Sequence, residues 1–209
     1  MDARSAYRLL AGSYDQQPNA LVSLEQRTMA SLFPDVRGKT VVDAAAGTGR
    51  WARYCVMGGA RVVSLDFCLQ LLQHAPHSSL VADLNCLPLA DACADLTICA
   101  FALGYAPRAF KELHRVTRSG GTVLVSDMHP NAIRGGWTRS FRRGSEVIEV
   151  AHQPYSLDEL RHPGLKLECL IEPGFGAPER EIFECSGHAA RFDDAAKGPA
   201  IFVARWAKR

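Results

Sequence analysis

Strand-like and helix-like segments alternate along the sequence from Lys39 to Asp127. Five short segments rich in β-branched and other apolar residues have the composition of buried strands: Lys39–Ala44, Arg61–Asp66, Ser79–Ala82, Asp95–Phe101 and Gly121–Asp127. Three segments between them have helical spacing: Thr48–Met57, Phe67–Ala75 and Ala109–Thr117. Short connections between alternating strands and helices indicate a mostly parallel sheet with helices on both faces. We therefore predict an α/β fold, an open three-layer sandwich whose ligands bind beyond the carboxyl ends of the strands.

The sequence on either side of this core predicts fewer regular elements. Ala20–Phe33 has apolar residues at helical spacing and ends before Pro34, which indicates a leading helix. After Pro130 the expected elements are a hairpin, a short helix and two strands: Trp137–Arg142 with Glu146–His152, Ser156–Arg161, Leu165–Glu172 and Pro199–Trp206. A chain of 209 residues has the size of one ordinary domain, so we expect a single domain.

Composition and charge argue against several classes of protein. Lys plus Arg number 24 and Asp plus Glu number 22, so the chain lacks the strong positive charge of a nucleic-acid binder. No apolar run approaches the roughly 20 residues of a membrane span. The seven cysteines are scattered, as in reduced cytoplasmic proteins. His74 and His77 are the only close histidine pair, and Pro76 between them argues against a metal site. We expect a cytoplasmic monomer or homodimer that binds no metal, membrane or nucleic acid.

A strand, a glycine-containing turn and a helix follow one another at VVDAAAGTGRWA, residues 41–52. This order brings backbone amides and a helix N-terminus to the polar end of a ligand. Residues 47–52 also fit the dinucleotide fingerprint GxGxxA, which alone is weak evidence. Asp43 distinguishes the two kinds of cofactor, because a carboxylate at this turn would repel the pyrophosphate of a dinucleotide. The ammonium and sulfonium groups of S-adenosylmethionine suit a neighbouring carboxylate instead.

Two more acids follow the next two predicted strands. Asp66 ends the second strand, where a carboxylate can accept both ribose hydroxyls of either cofactor. Asp83 follows the third strand and is placed to accept from an adenine amino group, with the amide of Leu84 near a ring nitrogen. Helix capping or turn formation would explain one such acid. Three acids at three successive strand ends favour an S-adenosylmethionine site.

In order and spacing these motifs resemble the class I S-adenosylmethionine-dependent methyltransferases, in particular the small-molecule branch related to quinone-biosynthesis methyltransferases. The resemblance runs from about Tyr14 to Asp127, and its motifs are VVDAAAGTGR, VVSLDF, VADLNCLPLAD, DLTICAFALGY and ELHRVTRSGGTVLVSD. It implies methyl transfer from S-adenosylmethionine to a small-molecule acceptor, with S-adenosylhomocysteine as the product. It also implies a Rossmann-like sheet of strand order 3-2-1-4-5-7-6, with the last strand, Ile201–Trp206, antiparallel.

The same resemblance implies roles for regions and residues. The four expected regions are a helical lid, a cofactor-binding core, a substrate-side hairpin and helix, and the terminal strands: 1–34, 39–127, 128–163 and 165–209. The lid contains Tyr14–Asp15, which matches a Tyr-Asp pair that closes over the methionine end of the cofactor. The expected cofactor-binding residues are Tyr14, Asp43, Ala44, Ala45, Gly47, Thr48, Gly49, Asp66, Phe67, Ala82, Asp83, Leu84, Ala100 and Phe101.

The chain departs from the family pattern in two places. Ala45 stands where glycine is usual, and Ala46 where cysteine or serine is common, so the backbone has less room to approach the ligand. The stretch from Tyr105 to Glu112 is several residues shorter than usual, which weakens any expectation about the helix after the fourth strand.

Candidates for the acceptor side lie around and beyond the fifth strand. His129 is the best placed general base for a hydroxyl or protonated amine, with a simple loop hydrogen bond as the alternative. The candidate substrate-binding residues are Tyr105, Trp137, Arg139, His152 and Tyr155. The aromatic ones more often pack a hairpin onto its sheet. The nearby arginines suggest either an anionic acceptor or a solvated hairpin edge: Arg134, Arg139, Arg142 and Arg143.

Three other functions stay open at this point. A nucleotide-dependent oxidoreductase would use the same glycines, although Asp43 and Asp83 argue against it. A second alternative is a nucleic-acid or protein methyltransferase. Base-modifying enzymes often have an Asn/Asp-Pro-Pro-aromatic motif where this chain has Ala100–Tyr105. A catalytically degenerate cofactor-binding homologue is the third. The sequence leaves undetermined the acceptor and the choice among O-, N-, S- and C-methylation.

Overall fold

A seven-stranded sheet with the order β3-β2-β1-β4-β5-β9-β8 forms the centre of the molecule. The computed structural model describes residues 1–16, 18–76, 78–143 and 146–209, without the side chain of Arg142. His77 and residues 144–145, which were predicted to join the two hairpin strands, therefore lie outside the described residues. The strands are β1 Thr40–Ala44, β2 Arg61–Asp66, β3 Ser78–Val81, β4 Ala94–Ala100, β5 Thr117–Met128, β6 Arg139–Arg143, β7 Glu146–Val150, β8 Leu165–Ile171 and β9 Ile201–Lys208.

The strand order and directions confirm the predicted topology, with β9 as the seventh strand and β8 as the sixth. β9 is antiparallel to both of its neighbours, β5 and β8. The remaining pairs of the sheet are parallel. β6 and β7 form a separate antiparallel pair, with Phe141 opposite Ile148, which confirms the predicted hairpin after the fifth strand.

Helices cover both faces of the sheet, as predicted. They are α1 Ala3–Leu10, α2 Ala20–Met29, α3 Arg50–Met57, α4 Leu69–Leu72, α5 Ala109–Val116, α6 Pro130–Arg134, α7 Ala177–Cys185 and α8 Phe192–Ala195. Side chains alternate across each strand, so that Val123 and Val125 of β5 join one apolar cluster and Leu124 joins the other. Residues of α5 pack into the first cluster, and residues of α2 and α3 into the second. The sheet is therefore the middle layer of a three-layer sandwich.

Two predicted helices are much shorter in the structure, and the leading helix expected over Ala20–Phe33 ends at Met29. The helix expected over Phe67–Ala75 comprises only Leu69–Leu72. A side-chain oxygen of Asp66 accepts the backbone N–H of Cys68, which stays extended and delays the start of the helix. Pro76 disfavours helical backbone in the residue before it. The segment near Ser156–Arg161 is a single 3-10 turn, Leu157–Leu160.

The helices α1, α6, α7 and α8 were not predicted from the sequence. α6 and α8 comprise only five and four residues, too few for apolar spacing to be recognised. In α7 the buried side chain of Glu179 accepts the backbone N–H of Gly176 and pairs with Arg27 of α2. The ion pair with Arg27 stabilises the helix, and the local sequence around α7 gives no sign of this distant partner.

Membrane-spanning helices and metal-binding clusters are both absent from the described part of the chain. Among these residues, the helices are all too short or too polar to span a bilayer. The same residues contain no group of three or more His, Cys, Asp or Glu side chains that could hold a metal ion.

Candidate functional site

A cleft of about 1040 Å³ opens at the carboxyl ends of β1 and β4. Its inner wall is formed by the end of β1, the glycine turn, the start of α3, and the last residue of β4 with the residue that follows it: Asp43, Ala45, Ala46, Gly47, Thr48, Arg50, Trp51, Ala100 and Phe101. The N-terminal segment, the hairpin and the segment after α7 form the rest of the wall, with Tyr14, Asn19, Phe141, Glu149, His188 and Arg191 among their contributions.

A smaller pocket of about 190 Å³ lies beside the cleft, at the ends of β2 and β3. Five of the predicted cofactor-binding residues line it: Ala45, Asp66, Phe67, Asp83 and Leu84. Ala45 also lines the cleft, so the two spaces meet at the glycine turn. An elongated ligand that crosses this turn would reach all three of the predicted acids.

The backbone of the turn is left-handed at three positions: Ala45 with φ = 66°, Gly47 with φ = 57° and Gly49 with φ = 83°. A Cβ atom at Gly49 would lie 2.6 Å from Cδ of Pro76, so this position also requires glycine for space. Ala45 adopts the conformation at a cost of about 1–2 kcal/mol, because its Cβ crowds the following carbonyl oxygen. The chain thus has an alanine at a position where the geometry favours the glycine that is usual in the family.

Asp43 lies one residue before the end of β1, and its side chain is buried. The residue is 2% exposed, and its Oδ2 has no hydrogen-bond partner among the described residues. Burial raises the pKa of Asp43 to about 7, while a hydrogen bond from the backbone of Ala52 and the charge of Arg50 act in the opposite direction. A buried acceptor without a partner is unusual in a folded protein, and a cationic ligand group would satisfy it.

Asp66 joins the glycine turn to the second pocket. Its Oδ2 accepts the backbone N–H of Gly47 at 2.9 Å, and its Oδ1 accepts that of Cys68 at 2.8 Å. Burial raises the pKa of Asp66, and these backbone hydrogen bonds oppose the shift. Each carboxylate oxygen has a second lone pair, so Asp66 can hold the turn and still accept hydrogen bonds from a ligand.

Asp83 forms a local turn at the far end of the second pocket. Its Oδ1 accepts from the backbone N–H and the side-chain amide of Asn85, at 2.8 and 2.9 Å. The turn-forming explanation therefore accounts for one oxygen of this carboxylate. Oδ2 forms no hydrogen bond with the described residues, and Leu84 lines the pocket beside it.

The N-terminal segment is tied to both spaces. Oδ1 of Asp15 accepts the hydroxyl hydrogen of Thr48 in the glycine turn at 3.0 Å. Tyr14 lines the cleft, and its ring lies 6.2 Å from that of Tyr7. The hydroxyl groups of Tyr7 and Tyr105 share a hydrogen bond of 3.1 Å. The segment therefore packs over the glycine turn and the residues after β4.

A buried ion pair lies under the start of α3. Glu25 of α2 is fully buried, and its Oε1 accepts from Nε1 of Trp51 at 2.9 Å and from Oγ of Ser126 at 2.8 Å. Its Oε2 lies 2.6 Å from Nη2 of Arg50, although the two are not aligned as a hydrogen bond. The guanidinium lies over the Trp51 ring, 4.7 Å from its centroid. Neither Glu25 nor Arg50 was predicted from the sequence as a site residue.

Comparison with known proteins decides the family. Residues 42–125 match the family model described as a methyltransferase domain. Malonyl-[acyl-carrier protein] O-methyltransferase from Pectobacterium atrosepticum is 33% identical over 168 residues, which are 72% of this chain and 66% of the relative. Demethylmenaquinone methyltransferase from Renibacterium salmoninarum is 33% identical over 134 residues, 58% of this chain and 56% of the relative. Residues 42–125 are a class I S-adenosylmethionine-dependent methyltransferase domain.

Solved structures share the fold of this methyltransferase domain and of the elements around it. An S-adenosylmethionine-dependent methyltransferase from Mesorhizobium loti superposes with a TM-score of 0.67 at 20% identity, covering 88% of this chain and 97% of that one. Geranyl diphosphate C-methyltransferase from Streptomyces coelicolor A3(2) gives 0.64 at 13% identity, covering 90% and 80%. The chain spans between about half and two thirds of the length of the curated relatives that it matches.

Most of the predicted cofactor-binding residues line the cleft or the second pocket of the methyltransferase domain. The exceptions are Ala44, Gly49 and Ala82, which line neither. Ala44 is fully buried in the core, and Gly49 provides the close backbone approach described above. Ala82 donates its backbone N–H to the carbonyl oxygen of Asp66 and so connects the ends of β2 and β3.

The geometry does not support His129 as the general base of the methyltransferase. Its side chain caps α6, with Nδ1 accepting the backbone N–H of Asn131 at 3.1 Å. Nε2 lies 2.7 Å from Oε1 of Glu172, so both ring nitrogens already have partners. The residue is 3% exposed and lines neither the cleft nor the second pocket. The alternative role, a structural hydrogen bond, fits its surroundings.

Of the five predicted substrate-binding residues, only Tyr105 lines one of the two spaces, the second pocket. Trp137 stacks on Phe175 with centroids 5.7 Å apart, and Tyr155 donates its hydroxyl hydrogen to the carbonyl oxygen of Met128. His152 lies beside the backbone of Gly104. These side chains pack the hairpin region onto the sheet, as the alternative interpretation of the aromatic residues proposed.

The described side chains of the predicted arginine cluster do not form an anion clamp, and the side chain of Arg142 lies outside the described part of the chain. Arg139 is paired with the buried carboxylate of Asp127 and donates from Nη1 to the carbonyl oxygen of Phe101 at 2.8 Å. Arg134 donates to the side chain of Asn131, and Arg143 is exposed. Among the described residues, the basic side chains that line the cleft are Arg50, His188 and Arg191.

Proposed function

We propose that this chain binds S-adenosylmethionine across the glycine turn and transfers its methyl group to a small-molecule acceptor in the cleft. The observation that carries the proposal is the arrangement of three acids around two adjoining spaces. Asp43 lines the cleft, Asp66 and Asp83 line the second pocket, and Ala45 lines both. A ligand with a cationic end and an adenosine end matches this arrangement.

The residues fit the cofactor in its two halves. In the second pocket Asp66 would accept the ribose hydroxyls, while Asp83 and the amide of Leu84 would meet the adenine edge. In the cleft the unpartnered Oδ2 of Asp43 would accept from the ammonium group. When bound, the cofactor supplies an electrophilic methyl group on its sulfonium. The chain's contribution is to hold the acceptor in line with that group and to keep water out.

The acceptor side of the cleft favours an anionic small molecule. Ser186, His188 and Arg191 line it together, and these side chains can donate hydrogen bonds to a carboxylate. A carboxylate acceptor is already nucleophilic and needs no general base, which agrees with the position of His129 away from the cleft. The Pectobacterium relative is named as an O-methyltransferase of a malonyl group on acyl carrier protein.

Two measurements test the proposal. Calorimetry should detect binding of S-adenosylhomocysteine but not of NAD. Asp66→Ala should weaken that binding by roughly 1.5–3 kcal/mol, the contribution of hydrogen bonds to a charged acceptor. Asp158→Ala, which removes an exposed acid far along the chain, is the matched control and should leave the affinity unchanged. Binding of NAD alone would favour an oxidoreductase and reject the proposal.

The transfer reaction is tested with methyl-labelled cofactor and a metabolite extract, with the labelled product identified by mass spectrometry. A labelled small molecule supports the proposal. If the label is found only in protein or nucleic acid, the acceptor is a macromolecule and the small-molecule proposal is wrong. Cofactor binding without any labelled product would identify a catalytically degenerate homologue.

We further infer the division into a lid, a core, a substrate-side region and terminal strands at residues 1–34, 39–127, 128–163 and 165–209. The contact between Asp15 and Thr48 supports a lid role for the first region. The seven cysteines form no disulfide, which is consistent with work in the cytoplasm. Light scattering after size-exclusion chromatography would distinguish the expected monomer or homodimer from a larger assembly.

A further inference from the structure

An arginine of the hairpin is buried against the loop that follows β4. The side chain of Arg139, the first residue of β6, is 9% exposed and pairs with the fully buried carboxylate of Asp127, near the end of β5. Its Nη1 donates to the carbonyl oxygen of Phe101 at 2.8 Å. Arg139 lines neither the cleft nor the second pocket. Because the desolvation of two buried charges offsets their attraction, stability alone is a weak explanation for such a pair.

The ion pair holds this loop at two points. Arg139 binds the carbonyl group of Phe101, and Oδ2 of Asp127 accepts the backbone N–H of Leu103 at 2.9 Å. Phe101 has φ = 57°, a left-handed conformation that is unfavourable for a residue with a Cβ atom. Such a conformation persists only where the surrounding structure maintains it. The pair therefore maintains the conformation of residues 101–103.

The same loop forms part of the wall of both spaces. Phe101 lines the cleft, and Ala102 lines the second pocket. The guanidinium of Arg139 also lies over the ring of Tyr105, 4.9 Å from its centroid, and Tyr105 lines the second pocket. The two hairpin strands line only the cleft, with Ser140, Phe141, Val147 and Glu149. Arg139 thus connects the wall of the second pocket with the hairpin wall of the cleft.

We propose that Arg139 is a positioning residue that couples the two ligand sites. An adenosine group in the second pocket would fix residues 101–105, and Arg139 would extend this order to β6 and so to the hairpin wall that faces the acceptor. Coupling is reciprocal, so an acceptor held by the hairpin would strengthen cofactor binding by the same factor. The inference rests on the proposed function, because it assumes that the second pocket receives the adenosine end of S-adenosylmethionine.

The N-terminal segment provides a second route from the second pocket to the hairpin. Ala3 and Arg4 of α1 line that pocket, and the backbone N–H of Ala151, directly after β7, donates to the carbonyl oxygen of Met1 at 2.8 Å. Met1 is 51% exposed, so water competes for this contact. The contacts of Arg139 are buried, where hydrogen bonds are electrostatically stronger. We therefore assign the coupling to Arg139.

Hydrogen exchange, measured by mass spectrometry, tests the coupling with methylthioadenosine. This ligand has the adenosine end of the cofactor and lacks its amino-acid end, so it should occupy the pocket that the hairpin does not line. In the unmodified protein, saturating methylthioadenosine should slow exchange in residues 101–105 and also in residues 139–143.

Arg139→Lys should break this connection. The lysine keeps a positive charge near Asp127 but lacks the planar fork that serves a carboxylate and a carbonyl oxygen at once. Methylthioadenosine should still slow exchange in residues 101–105 of this variant, whereas the protection of residues 139–143 should be lost. Its affinity, measured by calorimetry, should fall by about fivefold or more, the lower end of typical coupling between sites.

Arg205→Lys is the matched control. Arg205 also binds a carboxylate and a backbone carbonyl, since its Nε donates to Glu168 at 2.9 Å and its Nη1 to the carbonyl oxygen of Leu32 at 3.1 Å. It lines neither the cleft nor the second pocket. This variant should bind methylthioadenosine with unchanged affinity and show protection in both segments.

Three results would overturn the inference. The first is binding of methylthioadenosine to the unmodified protein without protection of residues 139–143. The second is protection of residues 139–143 that persists in Arg139→Lys, which would assign the coupling to the N-terminal route. The third is an equal loss of affinity in Arg139→Lys and Arg205→Lys, which would indicate general destabilisation.

A second variant keeps the test decisive if Arg139→Lys does not fold. Asp127→Asn retains an oxygen for the backbone N–H of Leu103 and leaves Arg139 without its counter-charge. It should show the same loss of protection in residues 139–143, and full protection there would overturn the inference. Failure of the unmodified protein to bind either methylthioadenosine or S-adenosylhomocysteine would instead reject the proposed function.

Discussion

Replacing Asp43 with asparagine should stabilise the folded protein, and the gain should depend on pH. Burial raises the pKa of Asp43 to about 7, whereas an aspartate in an unfolded chain has a pKa of about 3.9. Between these two values the folded state holds one proton more than the unfolded state. Stability therefore falls as pH rises through this interval, and above a pH of about 7 the loss is constant.

The size of the effect follows from the two pKa values. One pKa unit corresponds to about 1.4 kcal/mol, so raising the pH from about 5 to about 8 should remove ~2–3 kcal/mol through Asp43 alone. The asparagine side chain has no such ionisation. The difference in free energy of unfolding between Asp43→Asn and the unmodified protein should grow by the same ~2–3 kcal/mol over this pH range. The Asp43→Asn variant should also bind S-adenosylhomocysteine more weakly than the unmodified protein, because the ligand's ammonium group no longer meets a carboxylate.

The assay is urea unfolding of both proteins at several pH values between about 5 and 8, with calorimetric titration of S-adenosylhomocysteine at the upper end. Asp158→Asn is the control, since this exposed acid should give a difference that does not change with pH. A constant stability difference between Asp43→Asn and the unmodified protein would refute the reasoning. It would mean that the Asp43 carboxyl ionises in the folded protein at its ordinary pKa.

Three further predictions concern strain, a buried ion pair and a histidine. Ala45→Gly and Ala92→Gly replace residues with φ = 66° and 53°. Each substitution should raise the free energy of unfolding by up to about 1 kcal/mol. Only Ala45→Gly should also tighten the binding of S-adenosylhomocysteine, measured by calorimetry. Arg139→Ala should cost about 3–5 kcal/mol in urea unfolding, because it leaves a fully buried carboxylate unpaired. Arg161→Ala, from an exposed pair, should cost less than about 1 kcal/mol. Burial and a neighbouring histidine lower the pKa of His114 in the folded protein. As the pH falls, the imidazole of His114 is therefore protonated in the unfolded chain before it is protonated in the folded one. The free energy of unfolding should thus decrease as the pH falls below about 6.5. His114→Gln should lose less stability than the unmodified protein over that acid range, and a parallel loss would contradict the assignment.

The parts of the fold that could be predicted are those encoded by neighbouring residues. β-branched runs indicated the strands, and the short connections between strands and helices indicated their parallel order. Asp66 and Asp83 could be found because each lies at or just beyond the end of a strand and accepts the backbone N–H of the residue two positions further on. The cofactor side of the site is therefore largely local in sequence.

Contacts between residues that are far apart in the sequence could not be predicted from such local patterns. Glu25 meets Trp51 and Ser126, which lie 26 and 101 residues further along the chain. One signal was available: Glu25 falls on the helix face marked by Leu21 and Leu24, where a charge is out of place. Such a residue in an apolar stripe suggests a buried partner but does not identify it.

For His129, in contrast, a local sequence signal was present, and it indicated a structural role instead of a catalytic one. The residue directly precedes Pro130, the first residue of α6, and proline is favoured at that position. The sequence thus indicated the start of a helix at this position. A side chain that caps a helix is already hydrogen-bonded to the backbone, so it is not free to act on a substrate. Its second partner, Glu172, lies 43 residues away and could not be foreseen.

The position of β9 between β5 and β8 has a consequence for synthesis on the ribosome. β8 pairs only with β9 in the described sheet, and β9 follows it in the chain. While residues 201–208 are still inside the exit tunnel, β8 has no neighbour and β5 has an open edge. Exposed strand edges recruit other strands. The nascent chain is therefore open to misassembly in the interval after β5 and β8 have left the ribosome and before β9 has followed them.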